Sequence, residues 1–148
     1  MRAPEADLDL ERFLPYRLSV LSNTVSTRIA QAYAGQFGLS IPEWRVVAVL
    51  ARYPGLTASG VAERTAMDKV MVSRAVSRLL KSGRVARRTG ADRRASHLAL
   101  SAKGRAIYAR VVPVALGLEE QLLSALSAEE QASLRGALLK LDARARTL

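Results

Sequence analysis

Asp68-Lys69-Val70-Met71-Val72-Ser73-Arg74-Ala75-Val76-Ser77-Arg78-Leu79-Leu80-Lys81-Ser82-Gly83 is the stretch on which the reading of this chain turns. Val72, Val76 and Leu79 recur at spacings of 4 and 3, which places them on one face of a helix and holds that face to a core. Lys69, Ser73 and Arg74 fall on or near the opposite side, with Arg78 one turn beyond Arg74. Asp68 has the chemistry of an N-cap, and Gly83 suits a left-handed C-terminal cap. Lys69 stands in the first turn, where a cation opposes the helix dipole, a placement better tolerated if it faces phosphate. Just upstream, Thr57 is a plausible N-cap for a short helix from Ala58 to Arg64. Only Thr65-Ala66-Met67 separates the two helices, so they meet at a sharp corner rather than as an antiparallel pair.

Downstream, Val85 to Thr89 and Ala95 to Leu100 are strand-like; in the second, Leu98 and Leu100 face one way, His97 and Ala99 the other. The segment Gly90-Ala91-Asp92-Arg93-Arg94 makes the pair a hairpin with a basic tip. Upstream, Ser40-Ile41-Pro42-Glu43 has the form of a capping box, with Glu43 reaching back to the cap amide. The helix it opens runs to about Tyr53, is apolar nearly all round and is expected to be buried; Pro54-Gly55 stops it. A long helix from about Leu14 to Gly35 carries Leu14, Leu18, Leu21, Val25 and Ala32 on one face, with Pro15 in its first turn and Gly35 and Gly38 ending the segment. Ser101 caps another long helix to about Leu126, which Pro113 and Gly117 are expected to bend. Ser127-Ala128-Glu129-Glu130 opens a last helix to about Ala145, with a stripe of Leu134, Leu138 and Leu141. The fold expected is mainly α (α+β), a winged helix-turn-helix with a two-stranded β-wing. Residues 1–39 are an N-terminal dimerisation helix region, 40–100 the winged lobe and 101–148 C-terminal dimerisation helices. The arms are Ala- and Leu-rich helices with too few partners of their own, which predicts burial against a second copy of the chain.

Charge sharpens this. The chain has 148 residues, 23 Lys+Arg and 13 Asp+Glu, a formal net charge of +10. Between Arg64 and Arg105 lie 12 bases and two acids; the other 106 residues hold 11 of each. The excess is thus one block, and large single-sign fields mark binding surfaces more often than mere solubility. A hydrophobic content of 49% excludes a disordered basic tail. No uncharged stretch reaches 18 residues, so no membrane partner is expected. The N-terminus turns acidic and has no apolar signal core, so the expected location is cytoplasmic. With no cysteine, disulfides, thiolate catalysis and Cys-based zinc sites are excluded.

The expected partner is double-stranded DNA. A helix about 12 Å across enters the major groove, with its N-terminal side chains at the base edges. Lys69, Val70, Ser73, Arg74 and Arg78 are the expected contacts of the recognition helix. Arg74 can pair bidentately with guanine or fork onto phosphate, and Arg78 reaches the backbone. Arg93 and Arg94 sit where a wing can enter the minor groove. Asp92, an acid facing DNA, reads as the structural partner of Arg94 or Arg74, or as a simple turn-former.

The ordered set of motifs resembles the MarR family of bacterial transcription regulators over nearly the whole length. It comprises Pro42-Glu43-Trp44-Arg45-Val46-Val47, Lys69 to Arg74 followed by Arg78-Leu79-Leu80 and Gly83, Asp92-Arg93-Arg94, and Leu98-Ala99-Leu100-Ser101-Ala102-Lys103-Gly104. The resemblance implies a triangular homodimer with interlocking terminal helices, each winged lobe reading half of a pseudo-palindrome, with Arg94 as the minor-groove residue and Arg93 beside it. It also implies a repressor released by a small molecule, often an aromatic acid. Ala66 departs from the Gly common at this turn. Tyr16, Arg17, Tyr33, Trp44 and Arg45 are the candidate effector residues; aromatics plus Arg suit an aromatic carboxylate or an acyl-coenzyme A thioester. The plainer reading makes Trp44 core and the arginines surface or dimer groups. The lack of cysteine excludes the peroxide sensing of some relatives. His97, the single histidine, reads as a strand surface residue rather than a metal ligand. No cofactor, metal or catalysis is expected: Glu119-Glu120 and Glu129-Glu130 are the only carboxylate clusters, and no nucleophile–base pair accompanies them. The competing readings are a nonspecific or architectural nucleic-acid binder and an interaction-only winged domain.

Overall fold

The computed structural model describes residues 6–88 and 96–148. Its elements run as a 3₁₀ turn (Leu10–Arg12), α1 (Leu14–Phe37), α2 (Ile41–Arg52), α3 (Ala58–Thr65), α4 (Lys69–Lys81), β1 (Val85–Arg88), β2 (His97–Leu100), α5 (Ala102–Leu123) and α6 (Ala128–Ala145). Two units divide the chain, Met1–Val112 and Pro113–Leu148.

Local chemistry sets the boundaries of the first unit. Helix α1 runs past Gly35 and ends at Gly38, which takes the left-handed conformation at φ 63°. Of the two glycines expected to end the segment, Gly38 does so, while Gly35 lies within the helix. Ser40 caps α2 by accepting from the Glu43 amide. The expected return bond from Glu43 to the cap amide is replaced: the Ser40 hydroxyl donates to Glu43 Oε1 at 2.8 Å, and Glu43 is buried. Thr57 and Asp68 cap α3 and α4 as their side chains suggested. The corner between these helices turns on Ala66, the one described non-glycine residue at positive φ (52°). The Met67 amide bonds the Ala62 carbonyl (3.2 Å) and the Ala66 amide bonds that of Glu63 (3.4 Å), the two bonds of a Schellman cap. Alanine thus does here what glycine does more cheaply. Helix α4 ends likewise: Gly83 at φ 73° lets the Arg84 amide reach the Leu79 carbonyl and its own amide that of Leu80.

Strands β1 and β2 pair antiparallel, Val85 opposite Leu100 and Arg88 opposite His97. Residues 55–56 extend this ladder: the Gly55 amide bonds the Leu98 carbonyl, and the Leu98 amide that of Leu56. Ala99 is buried along with Leu98 and Leu100, contrary to the alternation expected of a half-exposed strand. The core joins Val46, Val47 and Leu50 of α2 to Val61 of α3, Val72, Val76 and Leu79 of α4, Val85, Leu98 and Leu100 of the sheet, and Val111 of α5. Each such side chain contributes about 1.5–3 kcal/mol by leaving water.

The start of α5 is locked onto the end of α4. The Ser101 amide bonds the Arg84 carbonyl, Lys103 Nζ donates to the Ser82 carbonyl at 2.9 Å, and Gly104 lies so close to the Arg84 carbonyl that a Cβ would collide with it. Arg84 in turn reaches back to α1, donating Nη2 to the Phe37 carbonyl (2.7 Å) and Nη1 to that of Gly38 (3.2 Å).

In the second unit, Ser127 and Glu130 form the full reciprocal capping box that opens α6. Helix α6 has no buried residue, and Leu134, Leu138, Leu139 and Leu141 are all exposed. The front half of α1 is similar, with Leu14, Leu18 and Leu21 exposed. No single helix among the described residues is long and apolar enough to cross a membrane.

Candidate nucleic-acid interface

Helix α4 buries Val72, Ala75, Val76 and Leu79. At about 100° per residue, the direction opposite this stripe belongs to Val70, Arg74, Ser77 and Lys81, spaced 4, 3 and 4 apart. Arg74 thus lies at the centre of the outward ridge. Val70 precedes it by one turn; Ser73 and Arg78 leave from either flank. Lys69 is exposed but emerges well round toward the buried side, not opposite it. Ser77 and Lys81 were missed in the sequence reading, although the same 3.6-residue period places them outward.

Toward the sheet the ridge overlooks a cavity of about 680 Å³ lined by Ser73, Arg74, Ser77, Arg78, Leu80, Lys81 and Arg87. Four cations and two hydroxyls converge on it. Between Lys69 and Arg88 the sequence has seven bases and no acid. Arg87 also escaped the sequence reading. It sits on β1, and its Nη1 donates to the Ser96 hydroxyl at 2.7 Å across the hairpin. A second cavity, about 380 Å³, continues past Arg87 to the N-terminus of α3 and is edged by Thr57, Ser59, Ser73, Ser77 and Ser96. Short donors, guanidiniums and a helix N-terminus are the groups that hold phosphate oxygens. On the other flank, Val70, Met71, Arg74 and Arg78 line a cavity of about 280 Å³ with Ser40, Pro42, Asp68 and Ala75. Asp92, Arg93 and Arg94 lie outside the described residues.

The aromatic candidates separate into two groups. The Tyr33 and Trp44 rings lie 5.8 Å apart, and Trp44 stacks on Tyr108 of α5 at 5.9 Å, a partner the sequence reading did not include. Tyr33 is buried; burial raises its phenol pKa above the ordinary 10.0, partly countered by the positive charge of Arg45. Arg45 itself ties α2 to α1 by donating to the Ser26 hydroxyl at 3.0 Å. Tyr16 and Arg17 are exposed and stand about 25 Å up α1 from Tyr33, by helix rise, so they share no intrachain cleft with Trp44. His97 is half-buried with Nδ1 2.8 Å from the Gly55 carbonyl, and no group of three metal-ligating side chains occurs among the described residues.

A three-helix core with a sharp α3–α4 corner and a two-stranded wing defines the winged helix-turn-helix class. Within it the chain belongs to the MarR family of transcription regulators: the family model described as MarR family matches residues 37–95, and the relatives agree. Transcriptional regulator HosA of Escherichia coli is 31% identical over 94 residues, 63% of this chain and 70% of that protein. A MarR/EmrR family regulator from Acinetobacter superposes with a TM-score of 0.87 at 24% identity, covering 95% of this chain and 100% of that one. A MarR family protein of Mycobacterium tuberculosis, solved in complex with p-aminosalicylic acid, matches with a TM-score of 0.72 at 25% identity over 88% of this chain and 98% of that one. These relatives are regulators of transcription rather than enzymes.

Proposed function

We propose that this regulator binds a pseudo-palindromic operator in double-stranded DNA as a homodimer, acting in the cytoplasm as a ligand-responsive repressor. The observation that carries the reading is the outward ridge of α4, with Arg74 at its centre above an acid-free basic cavity. Val70, Ser73 and Arg74 face base edges. Lys69, Arg78, Lys81 and Arg87 hold phosphates, and Ser77 donates beside them. Arg93 and Arg94 supply the wing contacts in the minor groove, with Asp92 fixing one of the neighbouring arginines. Residues 40–100 form the DNA lobe, and the helices of 1–39 and 101–148 dimerise through their exposed leucines.

The effector is an aromatic acid or its coenzyme A thioester. Support comes from the Tyr33–Trp44–Tyr108 cluster with Arg45 alongside, and from the aromatic acid bound by the Mycobacterium tuberculosis protein. Tyr16 and Arg17 belong to that site only if a second copy presents them. The deciding experiment is a titration of the protein with its palindromic upstream fragment and with a scrambled fragment at near-physiological salt. The palindrome should bind at least about a thousandfold more tightly. Equal affinities would leave a nonspecific binder and overturn the proposal.

A further inference from the structure

The first turn of α4 exposes two large apolar side chains, Val70 by 57% and Met71 by 47%. Single exposed apolar residues are ordinary on a protein surface. This pair is different in three respects. The fold does not need it, since Val72, Ala75, Val76 and Leu79 already seat the helix. It occupies the turn whose side chains meet base edges. It also shares one cavity with Arg74, Arg78 and Asp68, whose carboxylate is engaged by the Met71 amide as the helix cap, so an apolar patch lies inside a surface of net positive charge. A partner suited to both must be negatively charged overall and carry a small apolar group within reach. On the major-groove edge of duplex DNA that group is the C5-methyl of thymine.

We infer that Val70 and Met71 read thymine methyl groups in each half-site, next to the guanine paired by Arg74. The inference rests on the operator-binding reading above. It also fixes a spacing. Val70 and Arg74 are four residues apart, about 6 Å of helix rise, and base pairs stack every 3.4 Å or so. The thymine therefore lies one or two base pairs from the guanine.

The test uses the full chain and a duplex recovered by in vitro selection. Each thymine of one half-site is replaced singly by deoxyuridine, which deletes only the methyl, and the guanine by 7-deazaguanine, which deletes the N7 acceptor. One thymine within two base pairs of the guanine should show binding weakened about fourfold by deoxyuridine, the worth of one buried methyl group. The double variant Val70→Ala, Met71→Ala should bind thymine and deoxyuridine alike while keeping its sensitivity to 7-deazaguanine. Both positions are exposed, and alanine favours helix, so the variant folds. Deoxyuridine without effect at every position, or a thymine preference that survives in the double variant, would overturn the inference and leave sequence-specific binding standing. Failure of selection to recover any preferred sequence would overturn the operator reading itself.

Discussion

At the scale of single residues, position on the α4 ridge sorts the cations by the work proposed for them. Arg74→Ala should cost roughly 1–3 kcal/mol of discrimination at one base pair, read by competition between the operator and its single-base variants. Lys81→Ala should instead weaken all sequences alike and lower the slope of log affinity against log salt by about 1. A common effect of both would contradict the division. Ala66 makes a separate, thermodynamic point. A left-handed alanine costs about 1–2 kcal/mol, while glycine gives up roughly 0.5–1 kcal/mol of chain entropy. Ala66→Gly should therefore stabilise by about 0.5–1 kcal/mol, a rise of a few degrees in Tm, and a fall would show that the corner needs the methyl group. Tyr33 gives the pH dependence. Its folded pKa lies above the unfolded value of 10.0, so the folded chain holds that proton more tightly. Its contribution is complete below pH 10 and is lost as pH rises through the folded value. Tyr33→Phe should flatten the alkaline decline of stability, measured by denaturant unfolding between pH 9 and 11. The ridge is half legible in the sequence: Lys69, Ser73 and Arg74 are all exposed as expected, but the helix angle puts Lys69 nearer the buried stripe than the outward side.

At the scale of elements, the capping signals transferred almost unchanged into structure. Ser40, Thr57, Asp68 and Ser127 each accept the amide three residues on, because that bond depends on local sequence alone. The failures were tertiary. Of the two glycines expected to end α1, Gly38 makes the left-handed turn and Gly35 sits in helix three residues earlier. Ala99 read as outward-facing but is covered, and nothing in a four-residue strand announces what packs over its second face. Arg87 went unassigned because its meaning comes from the hairpin pairing that turns β1 toward α4. The α4–α5 joint has the sharpest consequence. Gly104→Ala forces a Cβ onto the Arg84 carbonyl, which backbone must move to relieve. A loss of about 1–3 kcal/mol is expected on denaturant unfolding, as for overpacking elsewhere. A neutral result would show that α5 can slide away from β1 freely.

At the scale of the whole molecule, the unaccounted surface is apolar rather than charged. Leu138 and Leu141 are each about two-fifths exposed on a helix with nothing buried. If these leucines meet a second copy, Leu138→Glu with Leu141→Glu should shift sedimentation at micromolar concentration from dimer to monomer and abolish tight operator binding. An unchanged dimer would move the interface elsewhere. The arms were legible as unsatisfied amphipathic helices because periodicity records which face needs covering. It does not record by what, and it does not show that the length of α1 separates Tyr16 and Arg17 from Tyr33 and Trp44. Arg84 carries one more implication, for how such a chain changes over generations. Its guanidinium holds α1 through two main-chain carbonyls, groups that every residue type supplies. This tie makes no demand on the side chains at 37 and 38, which are held instead by burial of Phe37 and by the left-handed turn at Gly38, whereas at residue 84 it needs the long charged side chain itself. Arg84 thus shares the work of holding the first helix with Arg45, which reaches Ser26, and with the buried rings of Tyr33 and Phe37.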